Sequence, residues 1–498
     1  MNRSLVKVIE ANANSRPNTI CFFDNFSSIN YEQFWQNILK IACKLKVLGI
    51  LPGDRVIIQT PDNIFLFTCI FAVQMIGGIS VPVEWDIFMQ DLDNLVKVSA
   101  SKFILSDNVA LKDSYPNGYI STSELIGKLK DTNDMLILDQ SMPKGSDIAE
   151  ILFTTGTTGS RKGVMLTHQN NIALAENIKY GVEMKPDNIE LIPVPVTHSY
   201  GLRSVYASLL NGSSIVFMNG IGMIGDFFKT IDRYHVTSLA LVPSAINIIL
   251  KYSGDHFARY ANQIEYIQSG SAALSEDAKA SLRRLLPNSR LYNFYGSTEA
   301  GRCCILDYNK EPDKKSCIGR PTVNSHFKIV SENGEYLPES KNNIGFLACF
   351  GKMTMAGYWN DPEETAKTLK DGVVYTSDLA YIEDGCIYYV GRQSDVINSG
   401  GIKIIPTEIE EIALRYNDIS ECICVPVKDD ILGQVPALAV IPKNPDSFAA
   451  DDFMKFLRNF INGNKMPRQI KQIDNIPRTY NGKIDRKQLI MLVERHNF

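Results

Sequence analysis

A β-prone apolar run, Ala149-Glu150-Ile151-Leu152-Phe153, empties into Thr154-Thr155-Gly156-Thr157-Thr158-Gly159-Ser160-Arg161-Lys162-Gly163. Glycine lets the backbone turn its N–H groups towards an anion, because no Cβ blocks the approach. Thr154, Thr155, Thr157 and Thr158 add hydroxyl donors, and Lys162 adds a point charge. Together with Gly156 and Gly159 these are the parts of a phosphate cradle. The spacing is not that of a Walker A loop, since no hydroxyl follows Lys162 to hold magnesium. A polar surface turn after a strand is the plainer alternative.

With 498 residues the chain exceeds one ordinary core, so two or more lobes are expected. Apolar residues at 45% and charged residues at 21% belong to a soluble globular protein. A formal charge of −4 creates no field for nucleic acid or an anionic membrane surface. The ten cysteines lie scattered without a Cys-x-x-Cys pair, which points to buried free thiols in a reducing compartment. Residues 1–10 mix charges with apolar residues at helical spacing, unlike a signal peptide. Phe65–Val83 carries no charge, but Gln74, Gly77-Gly78 and Pro82 break it into a buried helix, a turn and a short strand. The expected location is cytoplasmic.

Apolar runs alternate with helical patterns. Strands are expected at 20–23, 28–31, 56–58, 79–81, 103–106, 236–242, 264–268 and 290–293, with helices at about 31–45, 63–76 and 168–184. This order predicts an α/β lobe with a largely parallel sheet. From about residue 318, short strands with turns at Asn333-Gly334, Asp371-Gly372 and Asp384-Gly385 predict a β-rich part. The last hundred residues alternate helix and strand again.

Four further stretches carry chemistry. Tyr292-Asn293-Phe294-Tyr295-Gly296-Ser297-Thr298-Glu299 is a strand meeting a glycine turn, and a carboxylate beside a phosphate loop suits magnesium. Tyr375-Thr376-Ser377-Asp378 offers a carboxylate able to accept from two neighbouring hydroxyls. Gly391-Arg392-Gln393-Ser394-Asp395 leads into the glycine turn Asn398-Ser399-Gly400-Gly401-Ile402-Lys403. Ile476-Pro477-Arg478-Thr479-Tyr480-Asn481-Gly482-Lys483 sets a lysine on a turn.

In this order the five stretches resemble the motifs of the acyl-adenylate-forming superfamily, which includes acyl-CoA synthetases and carboxylic acid:CoA ligases. The resemblance covers about residues 5–490. It implies a large N-terminal lobe over 1–393, made of parallel-rich sheets with flanking helices plus a β-rich subdomain. A small hinged α+β C-terminal lobe, 394–498, would carry Lys483. By the same match the Thr154–Lys162 loop holds the β- and γ-phosphates of ATP. Asn293, Tyr295 and Gly296 lie by the nucleotide, Thr298 contacts the α-phosphate, and Glu299 with Thr154 holds Mg²⁺. Asp378 and Arg392 reach the ribose, Lys403 lines the tunnel for pantetheine, and Lys483 bridges the substrate carboxylate and α-phosphate. Ser271 and Ala272, in Ser269-Gly270-Ser271-Ala272-Ala273-Leu274, resemble the strand beside adenine and the acyl pocket. His198 falls where acyl-CoA synthetases carry a gating residue. Arg161 stands where the family usually has proline, and Ser394 where its pivot is commonly Asp or Lys. No aspartate follows His198 to pair with an ammonium, which disfavours amino acids. Arg302, near the pocket wall, reads either a polar group on the acid or a protein partner.

The implied activity is ATP-dependent adenylation of a fatty or aryl acid with pyrophosphate release, then transfer to coenzyme A. Two other readings stay open: a stand-alone enzyme loading the phosphopantetheine arm of a carrier protein, and a non-catalytic nucleotide-binding regulator.

Overall fold

The computed structural model describes residues 3–24, 27–127, 142–154, 161–272, 274–314, 316–478 and 484–494. Packing divides the chain into two compact units, residues 1–313, 319–327 and 349–375 in the first and 314–318, 328–348 and 376–498 in the second. The architecture is mixed α/β, with a large sheet-rich unit and a smaller one.

The first unit contains a seven-stranded sheet in the order Gly357–Tyr358, Lys162–Thr167, Ile148–Thr154, Ile79–Pro82, Arg55–Ile58, Phe103–Leu105, Tyr119–Ile120. Its central strands are parallel, and Ile57 pairs with both Val81 and Ile104. They read as continuous apolar runs because both faces are buried. A second set of strands runs Gly301–Asp307, Arg290–Ser297, Tyr266–Gly270, Ser238–Leu241, Ile189–Ile192, Ser214–Phe217, Ile20–Asp24, Ser27–Asn30. It is parallel in the middle and antiparallel at both ends. An aromatic core holds the unit, with Phe22 and Phe34 edge to face at 4.9 Å and Phe67 stacked on Phe217 at 5.7 Å.

The helix Asn63–Met75 explains the charge-free stretch. Every residue from Phe65 to Gln74 is buried, and Asp62 caps the start by accepting from the Phe65 N–H. It ends before Gly77, whose φ of +80° turns the chain into the next strand. No helix among the described residues is long and apolar enough to cross a membrane. The ten cysteines are all buried thiols.

Among the boundaries that differ from expectation, two have a backbone cause or bear on the site. The helix expected over 168–184 ends at Gly181, because Glu183 takes a left-handed φ of +53° that an α-helix cannot continue through. The strand expected over 290–293 extends to Ser297, so Gly296 lies inside a hairpin arm. A Cβ there would stand 2.0 Å from the Gly301 carbonyl oxygen, so glycine alone permits the pairing.

In the second unit, residues 378–383 of the strand Val373–Glu383 pair antiparallel with Cys386–Arg392 around Asp384-Gly385, both turn residues having positive φ. The C-terminal sheet orders Ile402–Ile404, Ile397–Ser399, Gly433–Pro442, Ile419–Asp429, with Gln469–Gln472 added beside Gly433–Pro442. One core gathers Ile397, Ile409, Leu438, Phe453 and Leu457, and another gathers Val425, Ala437 and Leu489.

Candidate active site

The glycine-rich loop springs from an antiparallel hairpin in which Thr154 pairs with Lys162. Thr154 Oγ1 donates to the Lys162 carbonyl at 3.5 Å, which leaves its lone pairs for another partner. Gly163 is required on the other arm, since a Cβ would press to 2.9 Å from Ile151 Cγ2 and 3.1 Å from the Phe153 ring. Thr155, Gly156, Thr157, Thr158 and Gly159 lie outside the described residues. Lys162 Nζ pairs with the Glu364 carboxylate and stands 5.3 Å over the Tyr358 ring. Arg161, at the proline position of the motif, pairs with Asp91 at 3.2 Å.

The strands Tyr266–Gly270 and Arg290–Ser297 run parallel, with Ser269 opposite Asn293. Ser269 Oγ and Asn293 Oδ1 are both buried, and neither finds a hydrogen-bond partner among the described residues. Two adjacent orphaned polar atoms cost free energy unless a ligand completes them. Ser271 follows at a left-handed φ of +72° and is exposed, and Ala272 is half-buried. Beyond Tyr295 and Gly296 the chain turns through Thr298 and Glu299. Glu299 is fixed twice, its carbonyl accepting from the Met355 N–H at 2.8 Å and its Oε1 from the Tyr358 hydroxyl at 2.9 Å. Burial first, and then the Glu299 charge, push the Tyr358 phenol well above its ordinary range.

His198 sits at the N-cap of the helix Ser199–Asn211, its Nε2 2.7 Å from Glu84 Oε1. Burial alone would raise the Glu84 carboxyl, yet the hydrogen bond and charge of His198 hold it below the usual carboxylate range. Two residues on, in the first turn of that helix, the Tyr200 ring lies against Gly270, where a Cβ would stand 2.7 Å from Cε2. Arg302 does not face outward. Its Nη1 donates to Gln268 Oε1 at 2.5 Å, its Nη2 donates to the Tyr200 carbonyl at 2.5 Å, and its guanidinium lies 4.1 Å over the Tyr200 ring. Gln268 in turn donates to the buried Glu190 at 2.5 Å. Of the two roles open to Arg302, the structure supports the protein partner.

Within the second unit, Asp378 and Arg392, taken from separate motifs, meet as register partners, with Arg392 Nε 2.9 Å from Asp378 Oδ1. Lys403 is exposed and pairs with the equally exposed Glu332 at 2.6 Å. Ser394 Oγ is 3.1 Å from Asp395 Oδ1, and Asp395 pairs with Arg486 at 3.0 Å. Lys483 lies outside the described residues.

Residues 9–359 match the family model for AMP-binding enzymes, and residues 408–483 match that for the AMP-binding enzyme C-terminal domain. The chain belongs to the AMP-binding enzyme family. It is an AMP-forming acid–thiol ligase of the acyl-CoA synthetase type, and ATP and CoA use go with this family. The chain is 30% identical to the 4-coumarate–CoA ligase of Vanilla planifolia over 90% of its own length and 86% of that protein. ATP-bound MatB from Rhodopseudomonas palustris shares the fold at a TM-score of 0.88 and 21% identity, covering 99% of both chains. The o-succinylbenzoate CoA synthetase of Bacillus subtilis, complexed with its acyl-adenylate intermediate, does so at 0.85 and 22% identity, covering 98% of both chains.

The sequence reading missed Tyr358, Glu364 and Glu84. Each acts through a distant partner, as Lys162 and Glu364 do across 202 positions, so no local spacing marks them.

Proposed function

We propose that this ligase activates an aryl carboxylic acid and transfers it to coenzyme A, with the named motif residues as its machinery. One observation carries the nucleotide site: the paired orphans Ser269 Oγ and Asn293 Oδ1, buried on adjacent strands that lead to Tyr295 and Glu299. An adenine amino group is the kind of donor Asn293 Oδ1 lacks. Asp378 and Arg392, already joined, are the ribose pair. The 4-coumarate ligases among the relatives support an aryl acid.

Magnesium fits the hard oxygens of Glu299 and the available lone pairs of Thr154, and when bound it offsets phosphate charge. In the first step a substrate carboxylate oxygen bonds to the α-phosphorus while the bond to pyrophosphate breaks. Lys162, Thr298 and Lys483 balance charge that spreads over the phosphate oxygens. In the second step the thiol sulfur bonds to the acyl carbon, AMP leaves with the electron pair, and the thiol proton is released. His198, steadied by Glu84, guards the acyl pocket. We further infer a hinge at 393/394, which falls inside the second unit as packing divides the chain, with Ser394 as pivot, Lys483 serving the first step and Lys403 the second. The exposed Lys403–Glu332 pair is weak enough to be given up. A cytoplasmic setting, where ATP and CoA are at hand, suits the reaction.

Pyrophosphate release with ATP and Mg²⁺ across a panel of aryl, fatty and dicarboxylic acids tests the reading. Release needs an aryl acid, yields the aryl-CoA when CoA is added, and collapses in Lys483→Ala. Release without a CoA product moves the acceptor to a carrier-protein phosphopantetheine. Release with fatty acids alone overturns the aryl assignment.

A further inference from the structure

Lys162 is the cation at the end of the glycine-rich loop, and its partner in this structure is another side chain. The Glu364 carboxylate holds its ammonium directly. Both residues are three-quarters buried and lie in the first unit. The Lys162 backbone is register-paired with Thr154 at the foot of the loop, and its ammonium rests over the Tyr358 ring, so only the end of the side chain has to move to change partner. Glu364 is equally well placed. It stands in the first turn of the helix Pro362–Thr368, where the Asp361 side chain accepts from its N–H at 3.0 Å. A carboxylate there gains from the helix N-terminus as well as from Lys162.

We propose that Glu364 is an internal competitor for the phosphates of the nucleotide, and that it sets ATP affinity by occupying Lys162 until phosphate displaces it. The inference rests on the reading of Lys162 as a phosphate ligand. Carboxylate and phosphate oxygens are anions of the same kind to an ammonium, so one lysine donates to either. Exchange is eased because Glu364 has a second cation. Its Oε2 lies 3.6 Å from the exposed Lys367, one helical turn on. When Lys162 turns to phosphate, the carboxylate keeps that neighbour and solvent. The device lowers nucleotide affinity by the cost of breaking the Lys162–Glu364 pair. No bond is made or broken beyond this exchange of ion partners.

The test measures ATP–Mg²⁺ binding by calorimetry, together with the KM values for ATP and for the acid. Glu364→Gln binds ATP about 3- to 10-fold more tightly, as expected for loss of a partly shielded ion pair. Its KM for ATP falls in step while the KM for the acid stays, and the gain shrinks as salt is raised. Glu363→Gln removes the same charge from the exposed neighbouring position and leaves the ATP affinity as it was. Lys162→Gln weakens ATP, and adding Glu364→Gln to it brings no gain. If Lys162→Gln leaves ATP binding unchanged, the phosphate-ligand reading fails and takes the proposal with it. If Lys162→Gln weakens binding but Glu364→Gln does not tighten it, the proposal alone fails. Equal tightening in Glu363→Gln would also overturn it, by reducing the effect to net charge.

Discussion

The Tyr358 hydroxyl donates to Glu299 Oε1 at 2.9 Å, and the same ring lies beneath Lys162. One aromatic residue thus touches both the carboxylate proposed for Mg²⁺ and the lysine proposed for phosphate. The strand Gly357–Tyr358 brings it there by pairing with Lys162–Thr167, so the hairpin below the loop also carries the residue that orients the loop's cation.

Tyr358→Phe keeps the ring and deletes the hydroxyl. Glu299 then loses the hydrogen bond that aims it, and support of this kind is worth about 10- to 100-fold in metal affinity. The Mg²⁺ concentration for half-maximal pyrophosphate release is expected to rise at least about tenfold. The KM for the acid is expected to hold. An unchanged Mg²⁺ dependence would remove Glu299 from the metal site.

Much of this arrangement was legible in the residues themselves. The apolar run before Thr154 and the glycines after it placed the loop at a strand end, and the alternation of apolar runs with helical patterns gave the parallel sheets. The pairing of Asp378 with Arg392 was not legible. A regular hairpin about Asp384-Gly385 pairs Glu383 with Cys386, and by the same count would set Asp378 opposite Gly391. A β-bulge between Leu379 and Ala380 shifts the register by one and brings Arg392 to Asp378 instead. Bulges leave no dependable mark on sequence. Glu150 is hidden for a different reason. It reads as a lone charge in an apolar strand, and its partners Arg203 and Tyr206 lie 53 and 56 positions away in sequence, as Glu364 is remote from Lys162.

That buried carboxylate makes a sharp stability prediction. Glu150 is 0% and Arg203 1% exposed, with Oε1 and Nη1 2.6 Å apart. Tyr206 donates to Glu150 Oε2 at 2.6 Å, and Arg203 also donates to Asn171 at 2.9 Å. Removing one member strands a charge where water cannot reach it, at a cost of about 3–5 kcal/mol. Glu150→Gln and Arg203→Met should each lower the urea midpoint strongly, whereas the double variant should lose less than their sum. Additive losses in the double-mutant cycle would show that the two charges do not depend on each other.

The second unit contains a carboxyl that favours the opposite charge state. Glu410 is pushed up from 4.5 to about 7, chiefly by burial. The Cys424 N–H, which it accepts at 2.8 Å, and the Arg486 charge oppose that rise, while Asp395 and Glu411 add to it. Cys422 and Cys424, both raised well above their ordinary values by burial, complete its surroundings as neutral thiols. A carboxyl with a raised folded pKa stabilises the fold while protonated. Its contribution is therefore full below about pH 4.5, falls as pH climbs towards 7, and becomes a constant penalty above that. Glu410→Gln keeps the acceptor for Cys424 and removes the charge. The variant should match wild type near pH 4.5 and exceed it above pH 7 by on the order of 2–3 kcal/mol. Urea unfolding of both proteins at intervals from pH 4.5 to 8 reads the difference directly, because every other titrating group is shared. Two curves that stay parallel across this window would mean that Glu410 remains ionised in the folded protein, with Arg486 offsetting its burial.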